Sequence, residues 1–425
     1  MSRNELPVAI IGAGPIGLAA AAHLLEQGRE PLVLEAGSGV GHHVQDWAHV
    51  RMFSPWEFNI DEAARRLLER EGWRAPDPGQ YPTGRELIED YLWPLAVSPP
   101  LAQRIRTQHR VVAITRRDMD RMKDADREES PFLLQVDTPD AGRKEIVASA
   151  VIDASGTWRN PNPIGSHGLP VPGEVELAKH IRYGIPDVAG REAEHYAGQK
   201  VLVLGSGTSA FNVLEGLVAL QSHAPETRVH WAVRRPSVEA VFRGGQNDPL
   251  EERASLAARA RNLIDQGQVE FSGNVRVHRL EQTKEGIVAW SGDQPLAPVD
   301  TIIASTGFRP DFEMLPEIRL LLDPATQAPS RLAPHIDPNA HDCGSVPPHG
   351  VSELAQPEPD FYLAGMKSYG RAPNFLLVTG YEAVRSIAAE LAGNHKAARE
   401  VRQVLPAGTE PCSLPAAQAQ APCCG

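Results

Sequence analysis

The sequence predicts an α/β fold made of two parallel-sheet domains, the second inserted into the first. An apolar strand runs directly into a Gly-rich turn and a helix at residues 8–26, and the same order returns at residues 201–220. Two strands that end in glycine, at 151–156 and 301–307, flank the second copy. Because alternating strands and helices build parallel sheets, each copy is expected to begin one Rossmann-like domain.

The first Gly-rich turn has the sequence GAGPIG at residues 12–17. In this pattern Gly12 permits the tight turn, Gly14 lets the backbone approach a pyrophosphate, and Gly17 allows the helix to pack closely on the strand. A helix is expected at residues 18–26, after the turn that contains Pro15, and its N-terminus directs free N–H groups and a positive dipole end towards the phosphates. The segment therefore predicts a dinucleotide site.

The second turn has the sequence GSGTSA at residues 205–210. Gly205 and Gly207 occupy the positions of the tight turn and of the close backbone approach. Ser209 belongs to the same turn, Ala210 replaces the third glycine with a residue that still packs closely, and a helix is expected at residues 211–220. Since one such motif binds one dinucleotide, two motifs predict two bound dinucleotides. The expected reaction is therefore electron transfer between bound cofactors.

The residues after the second strand of each unit differ in charge. Glu35 lies where a carboxylate would bind a ribose 2′-hydroxyl. Arg234 and Arg235 occupy the corresponding place in the second unit, where they would pair with a 2′-phosphate. We therefore expect FAD at the first site and NADPH, rather than NADH, at the second; the alternative for the arginines is a pair of solvated surface charges.

Composition excludes several classes of protein. The 425 residues suffice for two or three domains. A net charge of −12 and a pI near 5.7 argue against nucleic acid as a partner. Neither a membrane span nor a secretory signal is expected, and 4 cysteines in so long a chain exclude a disulfide scaffold, which favours the cytoplasm. The histidines near residue 45 lack a ligand spacing, so no metal site is predicted.

Domain boundaries and several further elements follow from the same pattern. Helices are expected at 61–70, at 85–91 behind an N-cap at Thr83, and at 374–393, and the polar run 116–130 is expected to be an exposed hairpin tip. The expected divisions are 1–165 for the first part of the FAD domain, 166–299 for the NADPH domain with its linker, 300–404 for the second part of the FAD domain, and 405–425 for a short disordered tail that carries cysteines.

The ordered motifs resemble the flavin-containing (class B) monooxygenases over about residues 6–395. Beyond the two Gly-rich turns, the resemblance rests on the segments 154–158 (ASGTW), 304–310 (ASTGFRP), 46–47, 53–56 and 81–84. It implies that FAD is covered by a loop that contains Trp47 and Ser54. It also implies that Gly156, Gly307 and Gly365 lie beside the cofactors, and that the helix after Pro373 directs its N-terminus at the flavin pyrimidine, with Lys367 and Arg371 as nearby cations or as ordinary loop charges.

More narrowly, the chain is similar to flavoprotein monooxygenases associated with bacterial arsenic resistance, which oxidise trivalent arsenicals. The segments 341–350 and 365–371 and the cysteine-bearing tail carry this resemblance. Cys423 and Cys424 are adjacent, and soft thiolates select soft metalloid ions. Cys343 and Cys412 are candidates for a third thiolate, and a disordered tail with incidental or redox-sensing thiols is the alternative.

The residues permit three functions. Residues 37–68 contain no cysteine, so a flavin there lacks an adjacent dithiol and would pass its electrons to oxygen. The first expectation is therefore an NADPH-dependent FAD monooxygenase that acts on a trivalent arsenical as part of arsenic resistance, with the chemistry carried by flavin C4a rather than by a side chain. The alternatives are an NADPH-dependent reductase of a thiophilic metal or a disulfide that uses the C-terminal cysteine pair, and a flavoprotein that senses or sequesters metalloids.

Overall fold

The computed structural model describes residues 5–243, 248, 250–340 and 346–402. These residues form two compact units. Unit 1 consists of the described residues up to Trp158 and from Arg309 onwards, and unit 2 of those from Arg159 to Phe308. The chain therefore leaves unit 1 and returns to it, which confirms the predicted α/β fold with an inserted second domain. The predicted tail, 405–425, lies outside the described residues.

The strands in chain order are β1 (Val8–Ile11), β2 (Pro31–Leu34), β3 (Ile105–Arg106), β4 (Arg110–Arg116), β5 (Phe132–Thr138), β6 (Gly142–Ala148), β7 (Ala150–Asp153), β8 (Ile181–Tyr183), β9 (Lys200–Leu204), β10 (Arg228–Ala232), β11 (Glu270–Ser272), β12 (Val277–Thr283), β13 (Gly286–Ser291), β14 (Gln294–Pro295), β15 (Thr301–Ala304) and β16 (Phe361–Leu363).

The α-helices are α1 (Pro15–Glu26), α2 (Trp56–Asn59), α3 (Glu62–Arg70), α4 (Gly84–Glu86), α5 (Trp93–Val97), α6 (Pro99–Ala102), α7 (Ala193–Tyr196), α8 (Thr208–Gln221), α9 (Val238–Phe242), α10 (Glu251–Asp265), α11 (Ala333–Ile336), α12 (Val351–Leu354), α13 (Leu377–Leu391) and α14 (His395–Arg399). Short 3-10 turns lie at Gln45–Trp47, Ala178–His180 and Gly365–Tyr369, and a π-helical turn at Leu87–Leu92. None of the helices in the described ranges has the length and hydropathy needed to cross a bilayer.

Unit 1 is built on a parallel sheet in the order β16-β7-β1-β2-β3. Along β1 the side chains alternate between two cores: Val8 and Ile10 pack with the helices α1, α3 and α13, whereas Ala9 and Ile11 pack against the antiparallel sheet β4-β5-β6. Because both faces are covered, all four residues of β1 are buried. The carboxyl ends of β1, β7 and β16 therefore lie side by side.

Unit 2 repeats this arrangement with the parallel order β11-β10-β9-β15-β8 and a three-stranded antiparallel sheet, β12-β13-β14. The position of β15 differs from the expected division of the chain. The sequence predicts residues 300–308 to belong to the first domain, but β15 is buried between β9 and β8 of the second sheet. A short buried strand of this composition could lie in either sheet. Its hydrogen-bonded pairing with β9 and β8 therefore decides to which unit it belongs.

Two local expectations also differ from the structure. Arg116 and Arg127, expected on an exposed hairpin tip, are buried and donate to the buried carboxylate of Glu358 at 2.7 Å each. Burial raises the pKa of Glu358, but its hydrogen bonds from Arg127 and Arg116 outweigh this and leave the pKa below its usual range. The last long helix begins at Leu377 rather than at Asn374, because Leu376 retains an extended backbone.

The predicted N-cap at Thr83 is confirmed. The Thr83 hydroxyl accepts a hydrogen bond from the Glu86 backbone N–H at 3.2 Å, and the Glu86 carboxylate accepts one from the Thr83 N–H at 2.6 Å. This reciprocal pair is a capping box, which fixes where the helical segment begins.

Candidate functional site

The first Gly-rich turn forms a cradle at the carboxyl end of β1. Gly12 has a φ of +97°, and a Cβ there would lie 2.8 Å from the carbonyl oxygen of Ala154. A Cβ at Gly17 would lie 1.9 Å from the carbonyl oxygen of Gly12, so helix and turn touch through bare backbone. A Cβ at Gly14 would meet no atom within 4 Å among the described residues. The open side of the cradle is therefore at Gly14, where a pyrophosphate is predicted.

The helices that start at these turns have uncapped N-termini. α1 begins at Pro15 behind the N-cap Gly14, and α8 begins behind the N-cap Gly207; neither has a side-chain cap or an acidic residue in its first turn. By contrast, α3 and α9 are capped by the side chains of Asp61 and Ser237. Free N–H groups at a positive dipole end favour an anion, so both termini fit a phosphate group.

Glu35 lies directly after β2 and is 8% exposed. One carboxylate oxygen accepts from the Ala13 N–H at 2.7 Å, and the other accepts from the Gly37 N–H at 2.6 Å. Glu35 thus holds the cradle to the loop that follows β2. Because an ionised carboxylate has about four acceptor positions, these two bonds leave capacity for a ribose hydroxyl, and that contact stays a prediction.

The loop expected to cover FAD is held by its own polar contacts. The Ser54 hydroxyl donates to the Asn59 side-chain oxygen at 2.7 Å, and the Asn59 amide donates back to the Ser54 carbonyl at 2.6 Å. The Trp47 ring packs on Gly84, where a Cβ would lie 2.8 Å from it. Ser54 therefore shapes the loop through Asn59, a role that its sequence pattern did not indicate, and the flavin contacts of Ser54 and Trp47 stay predictions.

A buried ion pair joins the ends of β7 and β16. Lys367 Nζ lies 2.6 Å from Asp153 Oδ2, and the two side chains are 1% and 0% exposed. The Ser155 hydroxyl donates to Asp153 Oδ1 at 2.7 Å. The glycines of these two exits, Gly156 and Gly365, have φ angles of +72° and +65°. Lys367 is thus a structural partner of Asp153 rather than a solvated loop cation.

Asp153 is a site residue that the sequence reasoning missed. The sequence does contain an indication, because Asp153 is an acidic residue at the end of an apolar strand. At the corresponding position of the second sheet, the end of β15, the residue is Ala304. An isolated buried carboxylate is costly, so such a position predicts a cationic partner elsewhere in the chain. The sequence does not reveal that this partner is Lys367.

The second cradle repeats the geometry of the first at the end of β9. Gly205 has a φ of +126°, and a Cβ there would lie 2.2 Å from the carbonyl oxygen of Ser305. A Cβ at Gly207 would meet no described atom within 4 Å, so this cradle is open as well. Ser209 is half-buried in the first turn of α8, and Ala210 is fully buried. Gly307, at the exit of β15, has a φ of +82°.

The two arginines after β10 differ in their surroundings. Arg235 is half-buried, and its guanidinium donates to the carbonyl oxygen of Ala240 at 2.6 Å. Arg234 is exposed and has no hydrogen bond or ion pair with the described residues. Of the two, Arg234 therefore presents the available cation next to the second cradle, and its contact with a 2′-phosphate stays a prediction.

The four candidate substrate thiols fall on residues that the structure does not describe: Cys343, Cys412, Cys423 and Cys424. Within the described ranges, no group of three or more His, Cys, Asp or Glu side chains is arranged to hold a metal ion.

Comparison with known proteins gives the family. The sequence matches the family described as pyridine nucleotide-disulphide oxidoreductase over residues 9–331. It is 25% identical to bacilliredoxin reductase Bdr of Bacillus subtilis over 323 residues, which cover 75% of this chain and 82% of that relative. It is 22% identical to the flavin-containing monooxygenase FMO GS-OX5 of Arabidopsis thaliana over 339 residues, which cover 73% of this chain and 62% of that relative.

A solved structure shows the same fold. The cadaverine monooxygenase DfoA of Erwinia amylovora, bound to FAD, matches with a TM-score of 0.62 at 13% identity, covering 96% of this chain and 99% of that chain. Its FAD, and the pyridine nucleotide in the family's description, agree with the predicted pair of cofactors. Since the family match spans more than half of the sequence, this chain belongs to the pyridine nucleotide-disulphide oxidoreductase family, whose members are flavin-dependent oxidoreductases.

Proposed function

We propose that the protein is an NADPH-dependent FAD monooxygenase that oxidises a trivalent methylated arsenical to its pentavalent form. The observation that carries the oxygenase assignment is the placement of sulfur. All four cysteines lie at or after residue 343, so the segments that form the two cradles contain none. A disulfide reductase passes electrons to a disulfide, commonly through a thiol pair beside its flavin, whereas an oxygenase passes them to O₂ and needs no such thiol.

The cradles fit the two cofactors in shape and charge. Both turns are open at their second glycine, both following helices have free N–H groups, and Glu35 and Arg234 differ in charge as FAD and NADPH require. When bound, FAD would accept two electrons from NADPH and pass them to oxygen. In this proposal Gly14 and Gly207 admit the pyrophosphates, Glu35 binds a ribose hydroxyl and Arg234 selects the 2′-phosphate.

The overall reaction balances without a catalytic acid or base from the protein. One atom of O₂ goes to arsenic, which is oxidised from As(III) to As(V) by two electrons. The other oxygen atom leaves as water, with two electrons from NADPH and with one proton from NADPH and one from solvent. A trivalent arsenical has its own lone pair, so no side chain has to activate it as a nucleophile.

The arsenical substrate is supported by the chemistry of the C-terminal cysteines. Cys423 and Cys424 are adjacent in the sequence, and thiolates prefer soft ions such as As(III). In this proposal the two thiolates bind the arsenical. Because they are tethered to the protein, they raise the concentration of the arsenical near the flavin. Cys343 or Cys412 would add a third thiolate.

A reductase is the second candidate, and a specific observation favours it. The relative from Bacillus subtilis is named as a bacilliredoxin reductase. The match covers 82% of that reductase but only 62% of the plant monooxygenase. In this reading electrons would pass from NADPH through FAD to the Cys423–Cys424 pair and then to a disulfide or a thiophilic metal. Both candidates use the same cradles and differ in the electron acceptor.

Oxygen dependence separates the two. NADPH oxidation is measured with and without oxygen, in the presence and absence of methylarsenite, and the arsenical product is analysed after reaction under ¹⁸O₂. The proposal expects arsenical-stimulated NADPH oxidation only with oxygen, and one labelled atom in the product. Equal turnover without oxygen would assign the protein to the reductases, and an unlabelled pentavalent product would exclude a monooxygenase.

The tail is tested separately. The double variant C423S/C424S should raise the KM for methylarsenite and lower kcat less, because capture is affected and the chemistry is not. FAD content and the KM for NADPH serve as internal controls and should stay unchanged. Wild-type kinetics in this variant would remove the tail from the proposal and leave the substrate without its main support.

A further inference from the structure

A buried tryptophan holds the tight turn of the second cradle. Trp231 lies in β10 and is fully buried. Its indole N–H donates to the carbonyl oxygen of Gly205 at 2.7 Å. In unit 1 the corresponding turn is held differently, because the Glu35 carboxylate accepts from the Ala13 N–H. Since arginine follows β10 where glutamate follows β2, an aromatic side chain of the neighbouring strand fixes the second turn instead.

The small residue at the third position of each turn is a further difference between the cradles. A Cβ at Gly17 would lie 1.9 Å from the carbonyl oxygen of Gly12. Ala210, at the corresponding position of unit 2, carries a Cβ and is fully buried. The turn and the helix of unit 2 therefore cannot touch as they do in unit 1. The Gly205 carbonyl bonds to Trp231 instead of lying against a bare helix backbone.

The bond to Trp231 also sets the direction of the next backbone N–H. The peptide group between Gly205 and Ser206 is trans and planar, so its carbonyl and its N–H point in opposite directions. Because the carbonyl is directed at the buried indole, the Ser206 N–H is directed away from it. This N–H has no hydrogen-bond partner among the described residues. It adjoins Gly207, where the cradle is open.

The indole ring is held in place by three phenylalanines of unit 2. Its centroid lies 6.0 Å from that of Phe211, 6.0 Å from that of Phe242 and 5.4 Å from that of Phe271. Phe211 belongs to the first turn of α8, and it stacks on Phe242, the last residue of α9, at 5.1 Å. The direction of the indole N–H is therefore fixed by packing that requires no ligand.

We propose that Trp231 is a positioning residue for the nicotinamide dinucleotide. By holding the Gly205 carbonyl, it keeps the Ser206 N–H directed at the pyrophosphate, which it reaches only through the backbone. The pyrophosphate is common to NADPH and NADH, so Trp231 sets the affinity for both, whereas Arg234 acts on the 2′-phosphate of one. This inference rests on the proposed binding of NADPH at the second cradle.

The test measures the dissociation constants of NADP⁺ and NAD⁺ for the oxidised, FAD-loaded full chain. W231F keeps an aromatic ring but removes the indole N–H. It should weaken both dinucleotides by about fivefold, the usual effect of one hydrogen bond. The ratio of the two constants and the FAD content should stay those of wild type. A variant that merely loosened the selecting arginines would change that ratio.

Two further variants separate the hydrogen bond from the packing. Site-specific replacement of Trp231 by benzothienylalanine puts sulfur in place of the N–H and keeps the shape of the ring, so it should weaken both dinucleotides as W231F does. It also decides the question if W231F does not fold. F271L is the matched control, because it opens a cavity beside the same indole and leaves the bond intact. It should lower the melting temperature and leave both dissociation constants unchanged.

The outcomes separate this inference from the proposed function. If wild type binds neither NADP⁺ nor NAD⁺, the assignment of the second cradle itself fails. If wild type binds them and the benzothienylalanine variant binds them equally well, Trp231 does not position the turn. Equal weakening by F271L would assign the effect to packing, and a loss confined to NADP⁺ would assign it to the 2′-phosphate. Either result would overturn the inference.

Discussion

The two cradles of this chain share one backbone geometry but differ in how their charged residues are used. In unit 1, Glu35 is bonded to the Ala13 and Gly37 N–H groups, so the acidic residue is part of the turn. In unit 2, Arg234 extends into solvent without a partner among the described residues. The first cradle is therefore organised before any ligand binds, whereas the second presents an unpaired cation. We propose that the glycines of each turn admit a dinucleotide and that the residue after the second strand selects which dinucleotide binds.

The neighbouring strands show a second difference. Asp153 pairs in register with Ile11 at the end of β1, and its charge is neutralised by Lys367. In unit 2 the same place is filled by Ala304, paired with Leu204. Beyond it, the Ser305 hydroxyl donates to the Gly184 carbonyl at 2.9 Å, a neutral bond. In unit 1 a buried ion pair thus holds the strand exits, whereas at the exit of β15 in unit 2 the described contact of Ser305 is a neutral hydrogen bond.

The largest expected effect comes from filling the open side of each cradle. Gly14 and Gly207 have extended backbones, with φ of −81° and −97°, so valine fits both conformations, and its Cβ would meet no described atom within 4 Å. We expect G14V to lose FAD and G207V to lose NADPH, each by more than about 100-fold in affinity, with the fold intact. Titration of both variants with both cofactors checks this. If G207V also released FAD, the two sites would not be separate.

Removing the cation of the buried pair is expected to destabilise unit 1. K367M leaves the Asp153 carboxylate buried without its counter-charge, at a cost of about 3–5 kcal/mol. The free energy of unfolding from urea titration measures the loss. The double variant K367M/D153L should recover much of it, because no charge then remains buried. A loss below about 1 kcal/mol in K367M would show that the pair with Lys367 contributes little to the stability of unit 1.

Cofactor selection should depend on Arg234 more than on Arg235. R234A should weaken the binding of NADPH by about 1–3 kcal/mol, since it removes a charged hydrogen bond to the 2′-phosphate. The binding of NADH should be nearly unchanged. R235A should also lower thermal stability, because its guanidinium bonds to the Ala240 carbonyl. The KM values for both nicotinamides, with melting temperatures, separate the two roles. Equal losses for NADPH and NADH in R234A would contradict the 2′-phosphate assignment.

The smallest expected effect is a pH dependence that belongs to unit 1. Burial lowers the pKa of His349 to about 4, while the unfolded value is 6.5. The unfolded chain therefore binds the proton first as pH falls, so stability is fully present above pH 6.5 and is lost towards pH 4. Between pH 7 and pH 5.5 the loss should be about 1 kcal/mol. Urea titrations at both pH values should show it in wild type, and a H349L variant should show less pH dependence.

Much of the fold could be predicted because its signals are local. A run of apolar residues ending in a Gly-rich turn specifies strand, turn and helix within about 20 residues, and both copies adopt that structure. The capping box at Thr83 is equally local, since its two partners are three residues apart. The position of β15 was missed because Thr301–Ala304 is apolar on both faces and carries no mark of which sheet it joins.

The sequence by itself determined where the glycines lie, which charge follows each second strand, and that the segments forming the cradles contain no cysteine. These properties depend only on residues that are close together in the sequence, so no long-range contact is needed to establish them. Only the tertiary structure decided that Lys367 neutralises Asp153, that Arg116 and Arg127 are buried against Glu358, and that the amide of Asn374 is left unpaired. Each of these depends on whether a distant segment supplies a partner, and the burial of a polar group is favourable or costly according to that partner alone.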